Sequence, residues 1–424
     1  MNDKNDVDIR ADVLIAGGGM SGMTMALALS HADVRAVVVE RQAPTGMPKL
    51  SFDGRTSAIA YGSARIFDGL GVWSAMVDDA EPILDVRVAD GNLTEGVSPL
   101  FLHYDHLELS SDCHDSVIMP DAPLGYILEN RTIRRALADA VENSENIETL
   151  APSELASVDR TAFGVTGVLA DGRRIKAALA IGADGRNSPL RVAAGIAATD
   201  FRYPQTSIVC TVAHERPHNG VAVELFLPGG PFAMLPLPGQ RTNIVWSENS
   251  ELVTSLLALD DAAFLAEVSR RFGDWLGALT LAGPRFSYPL GFLHAERYTE
   301  LRLALIGDAA HAIHPIAGQG FNMGLRDVAA LAEAIVDARR LGLDIGDATV
   351  LARYERWRRF DNTLLATMCD GLTRLFSNDI PPLRLARDIG LASVEKIPPL
   401  KRLFMRHAMG VVGTLPRLVK GELL

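Results

Sequence analysis

A chain of 424 residues with 48% apolar and 22% charged residues has ordinary globular composition and length for two or three structural units, which excludes wholesale disorder. Its formal net charge of −11 excludes a nucleic-acid binder, because phosphate contacts need a basic surface. The three cysteines, Cys113, Cys210 and Cys369, form no CxxC pair, so no metal site or disulfide framework is expected, and the thiols are read as buried and inert. Met1 to Arg10 lacks the apolar core of a signal peptide, and no apolar run reaches about 18 residues. A cytoplasmic protein is expected.

The first element pattern is a βαβ unit. Asp12 to Ala16 is a short apolar run, Met20 to Ser30 is rich in strong helix formers, and Val34 to Val39 is a β-branched run suited to a buried parallel strand. Between the first strand and the helix lies Gly17-Gly18-Gly19-Met20-Ser21-Gly22, which satisfies GxGxxG. In that motif Gly17 permits the tight turn, Gly19 lets a pyrophosphate approach the backbone, and Gly22 lets helix and strand pack closely. The helix N-terminus offers N–H groups and a positive dipole end to phosphate. Glu40, 23 positions beyond Gly17, ends the second strand where an acid binds ribose hydroxyls, which favours FAD or NAD over a 2′-phosphorylated nucleotide.

Further along, Asn130 to Val141 has helical core spacing, and Val165–Leu169 with Arg174–Leu179 around Asp171-Gly172 reads as a hairpin. Ala178 to Ala183 continues as a strand into Gly182-Ala183-Asp184-Gly185-Arg186-Asn187-Ser188. From Ser207 to Trp246 short extended segments with turns predict a separate antiparallel sheet. Leu301 to Ile306 is a buried strand leading into Gly307-Asp308, a glycine-rich loop from Pro315 to Asn322, and a long Ala-rich helix from about Gly324 to Arg340. Such a loop brings bare backbone amides against a flat, electron-accepting ring. The remainder is helical. From Leu383 to Leu424 it holds eight Lys/Arg against three acids, a basic tail on an acidic chain.

These three glycine motifs, in this order, resemble those of the FAD-dependent aromatic hydroxylases of the p-hydroxybenzoate hydroxylase superfamily. The wording is closer still to the UbiH/UbiF-type ubiquinone-biosynthesis monooxygenases. Gly307 to Asp327 is the most specific stretch. It is supported by Asp53-Gly54-Arg55, Gly71-Val72-Trp73, Glu129-Asn130-Arg131, Leu235-Pro236-Leu237, Val245-Trp246-Ser247, Ala408-Met409-Gly410 and Leu415-Pro416.

The resemblance implies an α/β fold with a Rossmann-type FAD-binding domain, an inserted antiparallel-sheet substrate domain and a helical C-terminus. The FAD-binding domain is expected from residues 1–80, 124–200 and 291–370, with substrate-domain segments at 81–123 and 201–290 and a C-terminal segment at 371–424. Non-covalent FAD is implied, held at Gly17, Gly19 and Gly22 (pyrophosphate), Glu40 (adenosine ribose), Arg55 and Arg131 (phosphates and ribityl chain), Asp184 with Gly185, and Asp308 (a ribityl hydroxyl). Pro315, Gly318 and Gln319 would position the isoalloxazine, with Gly320, Phe321 and Asn322 near its pyrimidine edge; no metal is implied.

The implied reaction is hydroxylation of a polyprenylated phenol in ubiquinone biosynthesis, through a flavin C4a-hydroperoxide, with NAD(P)H as electron donor and O2 as co-substrate. A hydroxylase of a small soluble aromatic and a flavin-bearing structural subunit of a biosynthetic complex are the alternatives. No side-chain base is assigned; His103, His214 and Tyr203 are read as structural or surface groups, and His311 as a loop stabiliser. In the basic tail, Leu400, Leu403, Phe404, Met405, Val411 and Val412 interleave with Lys401, Arg402 and Arg406. That pattern suits either a solvated helical cap or docking to the inner membrane face or to a ubiquinone-biosynthesis complex.

Overall fold

The computed structural model describes residues 8–43, 53–94, 96–109 and 117–424. Cys113 and the first seven residues lie outside them.

Val13–Ala16 and Ala36–Val39 are buried at every position, as their continuous apolar runs require of strands covered on both faces. They pair in parallel, and Leu179–Gly182, Leu303–Leu305 and Ile147–Leu150 extend the sheet in the order 303–305, 179–182, 13–16, 36–39, 147–150. Thr299–Glu300 closes one edge as an antiparallel hairpin strand. The crossover helix Met20–Ser30 packs on this sheet, and so does the long helix Gln319–Arg340, whose Leu325, Val328, Leu331 and Ile335 are fully buried. The helix begins five residues before the expected Gly324. Gly318, in the left-handed region at φ 60°, turns the chain so that Gln319 to Asn322 are already helical.

A second, nine-stranded sheet stands against the first unit. Its centre is a run of antiparallel strands, Ala198–His214, Arg241–Asn249, Gly230–Leu237 and Val221–Leu227, with Asp85–Asn92 added in parallel beside the last. Strand alternation gives it two unlike faces. On the outer face Ile208, Cys210, Phe232, Ile244 and Trp246 are buried under the helices Ser250–Leu257 and Asp261–Phe272. Trp246 anchors that layer between Phe232 and Phe264, each with its ring centre 6.0 Å away, with the Arg271 guanidinium 4.0 Å from the Trp246 centroid. The inner face looks toward the first unit and leaves a space between them.

The C-terminal helices Ala348–Phe376, Pro381–Lys396 and Pro398–Ala408 close that space from the side. Here the basic tail departs from a simple surface stripe. Lys401 is buried, with Nζ 2.7 Å from Glu108 and 2.9 Å from Glu395, and Met405 and Met409 are fully buried. Cys210 and Cys369 are free and buried, and burial pushes each thiol up to about 12. Among the described residues no helix is long and apolar enough to cross a membrane.

Candidate functional site

Between the two sheets runs a cavity of about 1020 Å³. That exceeds what one small aromatic needs and leaves room for a large cofactor beside it. One end is built by helix starts. Gly19, Met20 and Ser21 open the helix Met20–Ser30, and Gly318 to Asn322 open Gln319–Arg340; both groups line the same cavity. Neither helix has a side-chain cap or an acid in its first turn. Two positive dipole ends with uncapped N–H groups therefore converge on one space, the arrangement an anionic or electron-accepting planar ligand needs.

The glycines of the first loop divide by geometry. Gly17 has φ 102°, and a Cβ there would overlap the Ala183 carbonyl. A Cβ on Gly22 would overlap the Gly17 carbonyl, so helix and turn touch through bare backbone. At Gly19 an added Cβ meets nothing within 4 Å, because the space in front of it is the cavity. Glu40 holds the loop, accepting from the Gly18 N–H (2.7 Å) and the Gln42 N–H (2.8 Å).

Asp184 accepts from the Leu190 N–H (3.2 Å), and its other carboxylate oxygen is buried without a partner; burial raises its carboxyl. Gly185 lines the cavity beside it. Asp308 is exposed to the cavity yet surrounded by protein, and desolvation raises its carboxyl too. A desolvated carboxylate at Asp308, bare backbone at Gly185 and an open glycine at a helix start fit the hydroxyl groups and phosphates of FAD, whereas Asp184 does not itself line the cavity.

Other side chains position the loops. Arg55 lines the cavity, is paired with Asp53 at 2.7 Å and lies over Tyr288 at 5.2 Å. Its segment is fastened to the inner sheet by buried Asn243, which donates to the Gly54 carbonyl (3.0 Å) and accepts from Thr56 (3.0 Å). Arg131 does not line the cavity; its guanidinium pairs with Glu129 at 2.5 Å. Pro315, Gly318, Gln319, Gly320, Phe321 and Asn322 all line it. The Asn322 side chain is committed to backbone, accepting from Ala60 N–H (2.9 Å) and donating to the Ala58 (2.7 Å) and Gly318 (2.9 Å) carbonyls. What Asn322 leaves for a ligand is its place at the helix start.

Beneath the loop lies a buried polar knot that ties His311 and Asp327, both in the glycine-loop stretch, to Arg358 and Asn362 of the next helix. Asp327 accepts from His311 Nε2 (2.5 Å), the Gly307 N–H (3.2 Å), Arg358 Nε (3.1 Å) and Asn362 Nδ2 (2.9 Å). Burial by itself pushes the Asp327 carboxyl up; the charge and hydrogen bond of His311, with Arg358, override it and hold it at about 2. Its folded value thus lies below the ordinary 3.8, so the knot's stabilisation is present above that value and is lost as pH falls toward 2. Chemical denaturation midpoints are expected to fall between about pH 4 and pH 2, with a shallower fall in Asp327→Asn measured over the same range. An equal slope in the two proteins would remove Asp327 from the acid response.

None of the three doubtful bases lines the cavity. His103 Nε2 pairs with Asp85 (3.0 Å), His214 Nδ1 donates to the Arg216 carbonyl (2.7 Å), and the Tyr203 hydroxyl donates to Asp370 (2.8 Å). His314 is fully buried with both ring nitrogens unpartnered, and burial pushes it down to about 4. The cavity carries instead a carboxylate without a sequence motif, Glu224.

A parallel sheet joined through a glycine loop to one helix start, a second glycine loop at another, and a cavity against an antiparallel sheet define an FAD-dependent monooxygenase. The model of the FAD binding domain family matches residues 10–360, and the chain belongs to that family. It is 49% identical over 414 residues to the ubiquinone hydroxylase UbiL of Rhodospirillum rubrum, covering 97% of this chain and 93% of the relative. It is 34% identical over 403 residues to the 3-demethoxyubiquinol 3-hydroxylase of Escherichia coli (94% and 98%). The structure of p-nitrophenol 4-monooxygenase PnpA from Pseudomonas putida DLL-E4 superposes with a TM-score of 0.77 at 19% identity, over 96% of this chain and 100% of that one, a likeness of fold.

Proposed function

We propose that this enzyme hydroxylates the aromatic ring of a polyprenylated phenol on the ubiquinone pathway, using NAD(P)H and O2. The observation that carries the reading is the shape of the cavity. From the glycine loops it continues along an apolar wall to Leu391 and Val394 of one C-terminal helix and Phe404 and Met405 of the next. A soluble benzoate has no use for such a wall; a prenyl tail does. The names of the relatives point the same way.

In this reading Gly19 and the two helix starts bind the dinucleotide, with Glu40, Arg55, Asp184 and Asp308 on its sugar and phosphate groups. Bound FAD supplies oxygen activation and transfer. The chain binds, orients and keeps water away: Pro315 to Gln319 set the ring plane, and the inner sheet presents the substrate. The chain segments form a cofactor unit from 1–80, 124–200 and 291–370 and a substrate unit from 81–123 and 201–290. Leu385, Ile389 and Leu403, at 60%, 53% and 46% exposure on the two helices that wall the apolar branch, support contact with a membrane surface. Glutamate at these three positions is expected to reduce flotation with anionic vesicles; unchanged flotation would exclude that surface.

The pathway assignment is tested by quinone-lipid mass spectrometry in a strain lacking its own ring hydroxylases. Restored ubiquinone, or an intermediate one oxygen richer, is the expected result. FAD-loaded protein with an unchanged lipid profile would favour a soluble aromatic substrate.

A further inference from the structure

The inner face of the antiparallel sheet can be read row by row from its register. Val88, Glu224, Ala233, Val245 and Val209 stand side by side across five strands, and all five line the cavity. Four of these are apolar and one is a carboxylic acid. Among the described residues no donor or cation lies within hydrogen-bond or ion-pair distance of Glu224, and burial alone pushes its carboxyl up to about 8. One row along, Ser207 and Ser247 face each other on adjacent strands. Both are buried, both line the cavity, and neither hydroxyl has a partner. A buried polar group without a partner costs on the order of 1–3 kcal/mol, so the two serine hydroxyls, with the half-buried Glu224 carboxyl on the same cavity face, call for a ligand that satisfies them.

Resting on the proposed function, we infer that Glu224 takes the proton from the ring hydroxyl of the bound phenol while Ser207 and Ser247 hydrogen-bond its other oxygen substituents. Ser247 lies roughly 7 Å from Glu224 along the strands and about 10 Å across them, and Ser207 stands one strand further, about 14 Å across. A ring with oxygen on both sides, plus a hydrogen bond at each end, covers roughly the diagonal to Ser247. In the transfer the ring O–H bond breaks and a carboxyl O–H bond forms. The ring keeps the electron pair, which enriches the carbons ortho and para to the oxygen. When the ring regains aromaticity, its carbon-bound hydrogen moves to the ring oxygen. The proton on Glu224 then ends in the water formed from the second atom of dioxygen.

A base near 8 lies about two units below a phenol near 10, where an ordinary glutamate lies roughly six below. Of the titratable groups packed around it, the Cys369 thiol on Ala348–Phe376 is raised partly by the Glu224 charge. Asp90, one row beyond on the same face, is paired with Arg387. Glu224 takes protons up as pH falls below 8, so turnover is expected to rise with pH toward a plateau above that value.

The test uses purified FAD-loaded enzyme with 2-geranyl-4-methoxyphenol, which carries oxygen on both sides of the ring, in detergent, with hydroxylated product followed by mass spectrometry from pH 6 to 9. Glu224→Gln is expected to lower product formation at least about 100-fold and to erase the rise with pH. Glu224→Leu completes the apolar row, so it is expected to lose the same activity while raising the thermal midpoint. Ser207→Ala and Ser247→Ala are expected to raise KM about tenfold each with kcat retained. Product formation within threefold of the parent in Glu224→Gln, or an unchanged pH profile in either Glu224 variant, overturns the inference and leaves the proposed function standing. A parent enzyme that hydroxylates no phenol overturns both.

Discussion

Alanine at Gly19 and alanine at Gly22 are expected to fail in different ways. At Gly22 the new methyl must overlap the Gly17 carbonyl, so the helix Met20–Ser30 has to lift away from the turn. Overpacking of that kind costs about 1–3 kcal/mol in the fold, and the displaced helix start would carry the proposed phosphate site with it. FAD affinity should drop at least about 100-fold, roughly 2.8 kcal/mol, and the flavin-free protein should unfold at lower urea. At Gly19 the backbone is extended at φ −70°, which alanine adopts freely, and the methyl meets no protein atom within 4 Å. Flavin-free Gly19→Ala should therefore match the parent to within about 0.5 kcal/mol while binding FAD at least about tenfold more weakly. Flavin fluorescence titration with urea unfolding separates the two. Full flavin affinity in Gly19→Ala would move the pyrophosphate away from this loop.

The second large effect is expected at the pair that fixes the cavity's outer wall. Arg387 and Asp90 are 2% and 1% exposed at their side chains, joined at 2.8 Å, and Arg387 also donates to the Leu375 carbonyl at 2.8 Å. Burial raises the Asp90 carboxyl in spite of the guanidinium beside it. Arg387→Met leaves that acid buried and unpaired, a loss of about 3–5 kcal/mol. The same helix, Pro381–Lys396, brings Leu391 and Val394 to the cavity, so NAD(P)H oxidation without product should increase as well. Adding Asp90→Leu removes the stranded acid and is expected to recover most of the stability, because two apolar side chains replace two desolvated charges. A double variant no more stable than Arg387→Met would show that the pair is not the source of the loss.

Much of the fold is legible where local chemistry is one-sided. The helix Met20–Ser30 follows residue for residue from a glycine turn and a run of helix formers. Asn130–Glu142 extends one residue past its predicted end. The helix after the second glycine loop starts earlier than expected because Gly320 lowers intrinsic propensity, whereas the left-handed turn at Gly318 and the Asn322 amide, bonded to Ala58 and Ala60, impose the helical start. The addition of Asp85–Asn92 beside Val221–Leu227 joins segments more than a hundred residues apart, and no local pattern encodes such a partner.

The site divides in the same manner. Glycine loops announce themselves because only glycine tolerates their close approaches. Glu224 does not: one acid within Val-Ala-Val-Glu-Leu-Phe-Leu reads as the outward residue of an edge strand. Alternation does hint at it, since Glu224 shares its face with Ala222 and Phe226, but only the register shows that this face is enclosed. Lys401 misleads in the opposite direction, because a lysine on a basic tail reads as surface while Glu108 and Glu395 draw it inward.

The strand order also sets a timetable for biosynthesis. Val13–Ala16 gains a neighbour soon after it leaves the ribosome, but its other partner, Leu179–Gly182, must itself wait for Leu303–Leu305. The four central strands of the substrate sheet, residues 198 to 249, are joined by short turns and can pair at once. A nascent chain thus builds the proposed platform for the aromatic ring before the proposed cradle for the dinucleotide is complete. Flavin capture then falls near the end of translation, after the helix that starts at Gln319 has emerged.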